Sequence, residues 1–254
     1  MRTVRMTLRL LCATAAMIGL VATAPQARNE TAGDQAIYAE LLTRHLRQGL
    51  MDYRGLKRDE TLLDRYLESL AQVQPESLTS AARFAFWINA YNAWTLKLIL
   101  MHYPGINSIK EAGSWLRSPW KRRFVRQRDR LLSLDEIEQD ILRPQFNDPR
   151  VHFAINCASK GCPPLYPEPF SAKDLAHQLD QAARRFINDP ARYRLAGHTI
   201  FISRIFKWYA EDFDHDPLDF MRRYAQGGLA VLLADKGLRL EVDYLDYDWS
   251  LNGQ

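Results

Sequence analysis

Residues 150–165 read R-V-H-F-A-I-N-C-A-S-K-G-C-P-P-L, and the rest of the chain is organised around them. The stretch begins with a short apolar run, residues 151–155, whose composition predicts a buried β-strand. Turn-forming residues at 159–164 then end this strand. Two of the three cysteines of the chain, Cys157 and Cys162, lie here together with a histidine. A strand that ends in thiols presents reactive groups on a rigid base, so this stretch is the candidate site.

The sequence on either side of this stretch is mostly helical. Apolar residues recur at spacings of three and four from Asp34 onward and again over residues 60–73, which predicts two amphipathic helices. Residues 81–103 are apolar on every side, and polar residues among them make a membrane span costly, so we expect a helix in the core. Short strands are predicted at residues 199–203 and 238–242. The pattern predicts an α+β fold, a mostly helical single domain around a small sheet with a central buried helix.

The first residues predict export. A basic start is followed by an apolar run over residues 10–22 and by a small-x-small site at 22–24, the pattern of a secretory signal. We expect residues 1–24 to be a signal peptide, 25–33 a flexible tail and 34–254 a single globular domain, in a periplasmic or secreted protein.

The charge balance argues against nucleic-acid binding. Three of the 34 basic residues and none of the 30 acidic ones lie in residues 1–24, so the remaining chain is close to neutral. A general nucleic-acid binder neutralises phosphates with an excess of basic residues, which this chain lacks. We therefore expect the partner to be a small-molecule or peptide substrate.

One segment is basic. Residues 117–130 carry seven lysines and arginines with aromatic and aliphatic residues between them. This pattern favours a solvated hairpin that ends at residues 131–132. The alternative is an electrostatic lip that makes weak contact with an anionic surface or substrate.

Two asparagines lie in the predicted core helix. Asn89 and Asn92 are three residues apart and therefore neighbours on one face. A buried amide without hydrogen bonds costs about 1–3 kcal/mol, so both side chains need partners. They either tie neighbouring loops to the helix or orient groups at the thiol stretch, and both interpretations stay open.

Three motifs, in order along the chain, resemble one family. They are F-W-I-N-A-Y-N-A at 86–93, H-F-A-I-N-C-A-S-K-G-C-P-P-L at 152–165 and I-F-K-W-Y-A-E-D-F at 205–213. They are similar to exported bacterial-type members of the domain of unknown function 547 family, over roughly residues 53–213. The marked positions that this resemblance implies are His152, Asn156, Cys157, Cys162, Pro163, Asn89, Asn92 and Glu168. The resemblance implies no reaction, and a distant likeness to papain-like or transglutaminase-like thiol enzymes is an analogy only.

The first functional hypothesis is a cysteine nucleophile. Such a cysteine needs a base that forms the thiolate and a third group that orients the base, and Cys157, His152 and Glu168 have these residue types. In a regular strand, Cys157 and His152 would point to opposite faces, so they meet only if the chain bends. The hypothesis gives a thiol-dependent hydrolase or transferase that acts without a cofactor on an amide, peptide or thiol-containing small molecule. Its binding residues are Asn89, Asn92, Asn156, Ser159 and Cys162.

The second hypothesis has no catalysis. Two cysteines close in sequence in an exported protein usually form a disulfide, so the chain is alternatively a binding domain with a structural Cys157–Cys162 bond. A thioredoxin-like redox pair is disfavoured, because the spacing is C-x-x-x-x-C and not C-x-x-C. A zinc site of two cysteines and one histidine matches no familiar spacing, so no metal is predicted.

Overall fold

The computed structural model describes residues 33–113, 118–235, 237 and 239–253, so the predicted signal peptide and nearly all of the predicted tail lie outside the described residues. The helices are α1 (Gln35–His45), α2 (Tyr53–Arg58), α3 (Glu60–Gln72), α4 (Ser80–Leu100), α5 (Leu134–Glu136), α6 (Arg143–Phe146), α7 (Val151–Ala154), α8 (Leu175–Ile187), α9 (Ile205–Trp208), α10 (Pro217–Tyr224) and α11 (Gly227–Ala234). The strands are β1 (Leu46–Arg47), β2 (Leu50–Met51), β3 (Val125–Gln127), β4 (Arg130–Leu132), β5 (Tyr193–Ala196), β6 (Thr199–Ile202) and β7 (Glu241–Tyr244). The predicted α+β class, mostly helical with small sheets, is confirmed.

Helix α4 is the central helix of the fold. It begins at the cap Thr79, whose side chain accepts a hydrogen bond from the Ala82 amide at 3.3 Å. Every side chain from Phe84 to Leu96 is buried, as expected for a helix that is apolar on all sides. The prediction of a central buried helix is therefore confirmed. None of the described helices is long and apolar enough to span a membrane.

A first hydrophobic cluster surrounds α4. Helices α1 and α3 pack on each other and α3 packs on α4, with the rings of Tyr38 and Tyr66 stacked at 4.7 Å between α1 and α3. The cluster continues through the hairpin β3–β4 and the buried residues of the thiol stretch. Apart from Leu251, the buried residues of this cluster lie between Ile37 and Leu179.

A second hydrophobic cluster is rich in phenylalanine. Strand β6 pairs with β5 antiparallel and with β7 parallel, and this three-stranded sheet packs with the C-terminal half of α8 and with α9–α11. The phenylalanine rings in its centre are those of Phe153, Phe186, Phe206, Phe213 and Phe220.

The prediction of a β-strand over residues 151–155 is wrong, because this run forms the short helix α7. The amides of Val151 and His152 bond to the carbonyls of Asp148 and Pro149 at 3.0 and 3.2 Å, which begins the helical turn. An apolar run of five residues has no periodicity that distinguishes a strand from a buried helix.

Helix α7 is buried because it lies between the two clusters. Val151 and Ala154 belong to the first cluster, whereas Phe153 belongs to the second. The apolar composition of this run therefore reflects two cores on either side of a helix, and not the two faces of a sheet.

Part of the basic segment forms a hairpin, in which β3 (Val125–Gln127) pairs with β4 (Arg130–Leu132), and a 3₁₀ turn, Pro119–Lys121, precedes it. Val125 pairs with Leu132 and Gln127 with Arg130, while Lys121, Arg122 and Arg123 are exposed. The prediction of a solvated hairpin is confirmed for this part of the segment.

A continuous helical stretch follows the hairpin. Ser133 caps α5 reciprocally with Glu136, and a π-helix, Ile137–Leu142, connects α5 to α6. Segments of π-helix occur often at functional sites, and side chains of this one line the cavity described next.

Candidate functional site

A cavity of about 520 Å³ lies beside the thiol stretch. The thiol stretch contributes His152, Cys157 and Cys162 to its lining, and residues 135–143 contribute acidic and basic side chains. Its remaining wall is largely aromatic and contains Tyr91, Trp120, Trp208, Tyr209, Tyr247 and Trp249. The cavity therefore combines apolar contact area with a few polar groups, as ligand sites usually do.

A histidine and a carboxylate form the best-defined pair in the site. The His152 side chain is only 1% exposed, and its Nε2 lies 2.6 Å from Oδ2 of Asp212. Arg143 donates from Nε and Nη2 to the two Asp212 oxygens at 2.6 and 2.9 Å. Partial burial alone would raise the pKa of Asp212, but the hydrogen bonds from His152 and Arg143 outweigh it and hold this pKa well below its ordinary value. The carboxylate thus stays ionised and fixes the imidazole ring.

Tyrosines complete the surroundings of His152. The Tyr209 ring stacks on the imidazole with centroids 4.0 Å apart, and its hydroxyl donates to Glu138 at 2.5 Å. The Tyr91 hydroxyl donates to the other Glu138 oxygen at 3.1 Å. Burial, and then the negative charge of Glu138, raise the pKa of both tyrosines, so both remain protonated donors at neutral pH.

The two cysteines of the stretch are adjacent. Their sulfur atoms are in disulfide contact, and their Cα atoms are 6.0 Å apart, within the usual range for such a bond. The Cys157 amide also donates to the Cys162 sulfur at 2.8 Å. Cys157 is half-buried and faces the cavity, while Cys162 is 7% exposed.

Two hydroxyl groups contact the Cys157 sulfur. Ser159 Oγ lies 3.1 Å and Tyr247 Oη 3.3 Å from Cys157 Sγ, and the two hydroxyls are 3.1 Å from each other. Burial raises the pKa of Tyr247 to about 12, so its proton is present at neutral pH. The Tyr247 hydroxyl can therefore donate to a thiolate at Cys157 while it accepts from Ser159 Oγ, and this pair of hydroxyls would stabilise that thiolate.

Buried amides hold the chain around the cysteines. Asn92 on α4 donates to the Ala154 carbonyl at 2.9 Å and accepts from the Asn156 amide at 2.8 Å. The Asn156 side chain accepts from the Ala158 amide at 2.8 Å and donates to the Pro163 carbonyl at 2.6 Å. The Asn156 side chain thus spans the turn that carries both cysteines and fixes its shape.

The other buried asparagine of α4 has a different role. Asn89 donates to the Phe170 carbonyl at 2.8 Å and accepts from the Phe170 amide at 2.9 Å. Both interpretations of the pair therefore apply, one to each residue, because Asn92 bonds to the thiol stretch and Asn89 ties a separate loop to the helix.

The structure brings His152, Cys157 and Cys162 to one cavity. In a regular strand His152 and Cys157 would point to opposite faces, but residues 151–154 form the helix α7, so this geometry does not separate them. Within the described chain, however, no hydrogen bond joins His152 to Cys157. Glu168 is exposed and does not line the cavity, and the carboxylate that bonds His152 is that of Asp212 instead. Glu168 lies in the connection between α7 and α8.

Sequence reasoning missed the partners that come from distant parts of the chain. Asp212 lies in the third motif, 205–213, and an acidic residue in that motif was the available signal. Tyr247 and Arg143 have no pattern that would have singled them out. Among the described residues, no group of three or more His, Cys, Asp or Glu side chains is arranged to hold a metal ion.

Comparison with known proteins gives one match. A family model described as "Protein of unknown function, DUF547" matches residues 75–187. No curated protein and no solved structure matches the chain. His152, Cys157 and Cys162 lie inside the matched segment, whereas Asp212 and Tyr247 lie after it.

Proposed function

Residues 75–187 of this chain belong to the DUF547 family, and from the site within and beside that segment we propose a thiol-dependent hydrolase or transferase. Its substrate is an amide, a peptide or a thiol-containing small molecule, and Cys157 is the nucleophile. The observation that carries the proposal is the 2.6 Å bond from His152 to Asp212 in a cavity that Cys157 also lines. A cysteine and a histidine that line one cavity, with a carboxylate bonded to the histidine from behind, are the groups that nucleophilic thiol catalysis requires.

Each group has a role in this reaction. Asp212 holds His152 through Nε2, which leaves Nδ1 as the nitrogen for proton transfer. The Cys157 thiolate attacks the substrate carbonyl carbon, a C–S bond forms, and the leaving amine takes a proton from His152 as the C–N bond breaks. Water or an acceptor nucleophile then cleaves the acyl-enzyme. The Tyr247 and Ser159 hydroxyls stabilise the thiolate before attack.

The second candidate is a non-catalytic binding domain with a structural Cys157–Cys162 disulfide. It is favoured by the contact of the two sulfur atoms and by the hydrogen bonds that fix the turn around them. In this case the aromatic cavity binds its ligand without covalent chemistry.

Thiol labelling separates the two candidates. After reduction, a catalytic Cys157 should be alkylated at pH 6, where an ordinary cysteine with a pKa near ~8.5 is almost wholly protonated. His152→Gln should slow this labelling strongly, while Cys162→Ser should leave it largely intact. A structural disulfide instead predicts no selective labelling at pH 6, and destabilisation of about 2–4 kcal/mol from either Cys157→Ser or Cys162→Ser. The second pattern would remove the hydrolase from consideration.

We also propose that the protein is exported to the periplasm or secreted, on the sequence pattern of residues 1–24. A disulfide persists in such a compartment, so the thiols would need a reductant before catalysis. The intact mass of the protein from its native host tests this proposal, and a mass that corresponds to all 254 residues would refute it.

A further proposal concerns the basic segment, which we propose makes contact with an anionic surface through residues 117–130. Its support is the exposure of Lys121, Arg122 and Arg123 on one short stretch. Salt-sensitive binding to anionic but not to neutral lipid vesicles would be the expected result, and equal binding to both would refute it.

A further inference from the structure

A second, smaller cavity borders the same cysteine pair. Its volume is about 240 Å³, and Cys162 lines both this cavity and the larger one. Ser159, which contacts the Cys157 sulfur, lines the small cavity as well. The cysteine pair therefore borders two cavities, and the small one is lined by Cys162 but not by Cys157.

The small cavity carries excess positive charge. Three basic side chains line it, those of Lys160, Arg185 and Arg192, against the single acidic side chain of Asp189. Arg192 bonds to Asp189 at 3.3 Å and donates to the carbonyls of Gly161 and Cys162 at 3.0 and 3.1 Å. Lys160 and Arg185 have no ion-pair partner in the described part of the chain, so their charges are available to an anionic ligand.

A tight hairpin closes one side of this cavity. Gln48 and Gly49 connect β1 to β2 with positive φ angles of 52° and 85°, the backbone of a two-residue hairpin turn. A Cβ atom at Gly49 would lie 2.6 Å from Pro164 Cβ and 3.0 Å from Arg185 Nη2. The glycine lets the hairpin approach the thiol stretch closely, which places Arg185 beside it and near Cys162.

We propose that the small cavity binds a small anionic thiol, one that carries a carboxylate or sulfonate, and presents its sulfur to Cys162. Lys160 and Arg185 bind the anionic group. The ligand thiolate attacks Cys162 Sγ, a new S–S bond forms, the Cys157–Cys162 bond breaks, and its electron pair leaves on Cys157 as a thiolate. The hydroxyls of Tyr247 and Ser159 stabilise that leaving group.

A second thiol completes the exchange. Its thiolate attacks the ligand sulfur of the mixed disulfide, which releases a small-molecule disulfide and leaves Cys162 as a thiolate that takes a proton from water. Two small thiols are oxidised and the protein disulfide is reduced to two thiols. The catalytic consequence, a free Cys157 in the larger cavity, rests on the proposed function.

The test compares three small thiols on the oxidised full-length protein. They are 2-mercaptoethanesulfonate, 2-mercaptoethanol and cysteamine, which are anionic, neutral and cationic, at equal thiolate concentration. Opening of the disulfide is measured by rapid alkylation and mass spectrometry. We expect the anionic thiol to be faster than the neutral one by about 10-fold at low salt, the lower end of electrostatic steering effects. The cationic thiol should be slowest.

Two further experiments test whether the charges of Lys160 and Arg185 cause the faster reaction of the anionic thiol. The double variant Lys160→Gln/Arg185→Gln should lose the anionic preference. The control Arg126→Gln removes an exposed arginine that lines a different cavity, and it should keep the preference. If the double variant does not fold, the same rates are measured on the wild-type protein at increasing ionic strength. The preference for the anionic thiol should disappear, because the Debye length falls from about 30 Å at 0.01 M to about 3 Å at 1 M. Equal rates for all three thiols at low salt would overturn the proposal.

The thiol-exchange experiment and the labelling of Cys157 at pH 6 test the two proposals separately. An anionic preference in a protein whose reduced Cys157 is not labelled at pH 6 would keep this site and refute the proposed function. Labelling at pH 6 without any anionic preference would do the reverse.

Discussion

The two hydrophobic clusters differ in how they relate to the family segment. The first cluster surrounds α4 and includes much of the matched residues 75–187, whereas the second consists largely of the sheet β5–β7 and helices α9–α11 that follow them. The thiols lie on the first side, but the carboxylate that bonds His152 and the hydroxyl of Tyr247 belong to the later part of the chain. The unit that builds this site is therefore longer than the segment that the family model matches.

Hydrogen bonds and ion pairs connect the two clusters at the site. Asp212 belongs to the 3₁₀ turn Ala210–Phe213 of the later region, and it bonds to His152 on α7 and to Arg143 on α6. Phe153 follows His152 directly and enters the second cluster. One short helix thus places His152 at the cavity and Phe153 in the neighbouring core, which couples the cavity lining to the packing of both regions.

The largest expected effect tests whether the clusters unfold together. Trp87→Ala in the first cluster and Phe220→Ala in the second should each destabilise by about 3–5 kcal/mol, because each leaves a cavity in a packed core. Denaturant unfolding followed by fluorescence and circular dichroism should show one transition for both variants. Val231→Ala, at a side chain that is 74% exposed, is the control and should cost less than about 1 kcal/mol. Two separate transitions would mean that the clusters are independent.

The sequence predicts those features of the fold and the site that depend on residues close together in the chain, and it does not predict those that depend on residues far apart. Helix α4 was predictable because its own residues are apolar on every side, and α1 and α3 because their periodicity is local. Helix α7 was not, since five apolar residues fit a strand as well as a helix between two cores. His152 and Cys157 were found from one motif, but the pairing of His152 with Asp212 spans 60 residues and follows only from the packing of the second cluster.

The next effect tests the polar connection between the regions. Asp212→Asn leaves Arg143 without its carboxylate and should destabilise by about 2–3 kcal/mol at pH 7. The folded-state pKa of Asp212 is lowered, so its contribution is fully present above the unfolded value of about 3.9 and is lost as the pH falls toward the lower folded pKa. The difference between wild type and variant should therefore be largest at pH 7 and shrink below about pH 4.

Denaturant titrations at several pH values measure this difference. The control is Asp214→Asn, because Asp214 is an exposed neighbour with a positive φ of 53° that asparagine also tolerates. A difference for Asp212→Asn that stayed constant from neutral to acid pH would show that the ionised carboxylate does not hold the two regions together.

The smallest expected effect tests whether Tyr247, near the C-terminus, stabilises the thiolate of Cys157. Tyr247 packs against Trp208 and Trp249 with ring centroids 4.7 and 4.5 Å away, which places its hydroxyl 3.3 Å from the Cys157 sulfur. In the reduced protein this hydroxyl can donate to the thiolate, and such a bond contributes about 1 kcal/mol. Tyr247→Phe should therefore raise the midpoint of the pH profile for Cys157 alkylation by about 0.7 unit, since one unit corresponds to about 1.4 kcal/mol.

The control for this change is Tyr244→Phe, which removes a hydroxyl from β7 that makes no hydrogen bond within the described chain. It should leave the alkylation profile unchanged, and both variants should keep the stability of the wild type within about 1 kcal/mol. An unchanged alkylation profile for Tyr247→Phe would mean that the Tyr247 hydroxyl does not stabilise the Cys157 thiolate. A shift confined to Tyr247→Phe would mean that a residue 60 positions beyond the end of that segment sets the reactivity of its cysteine.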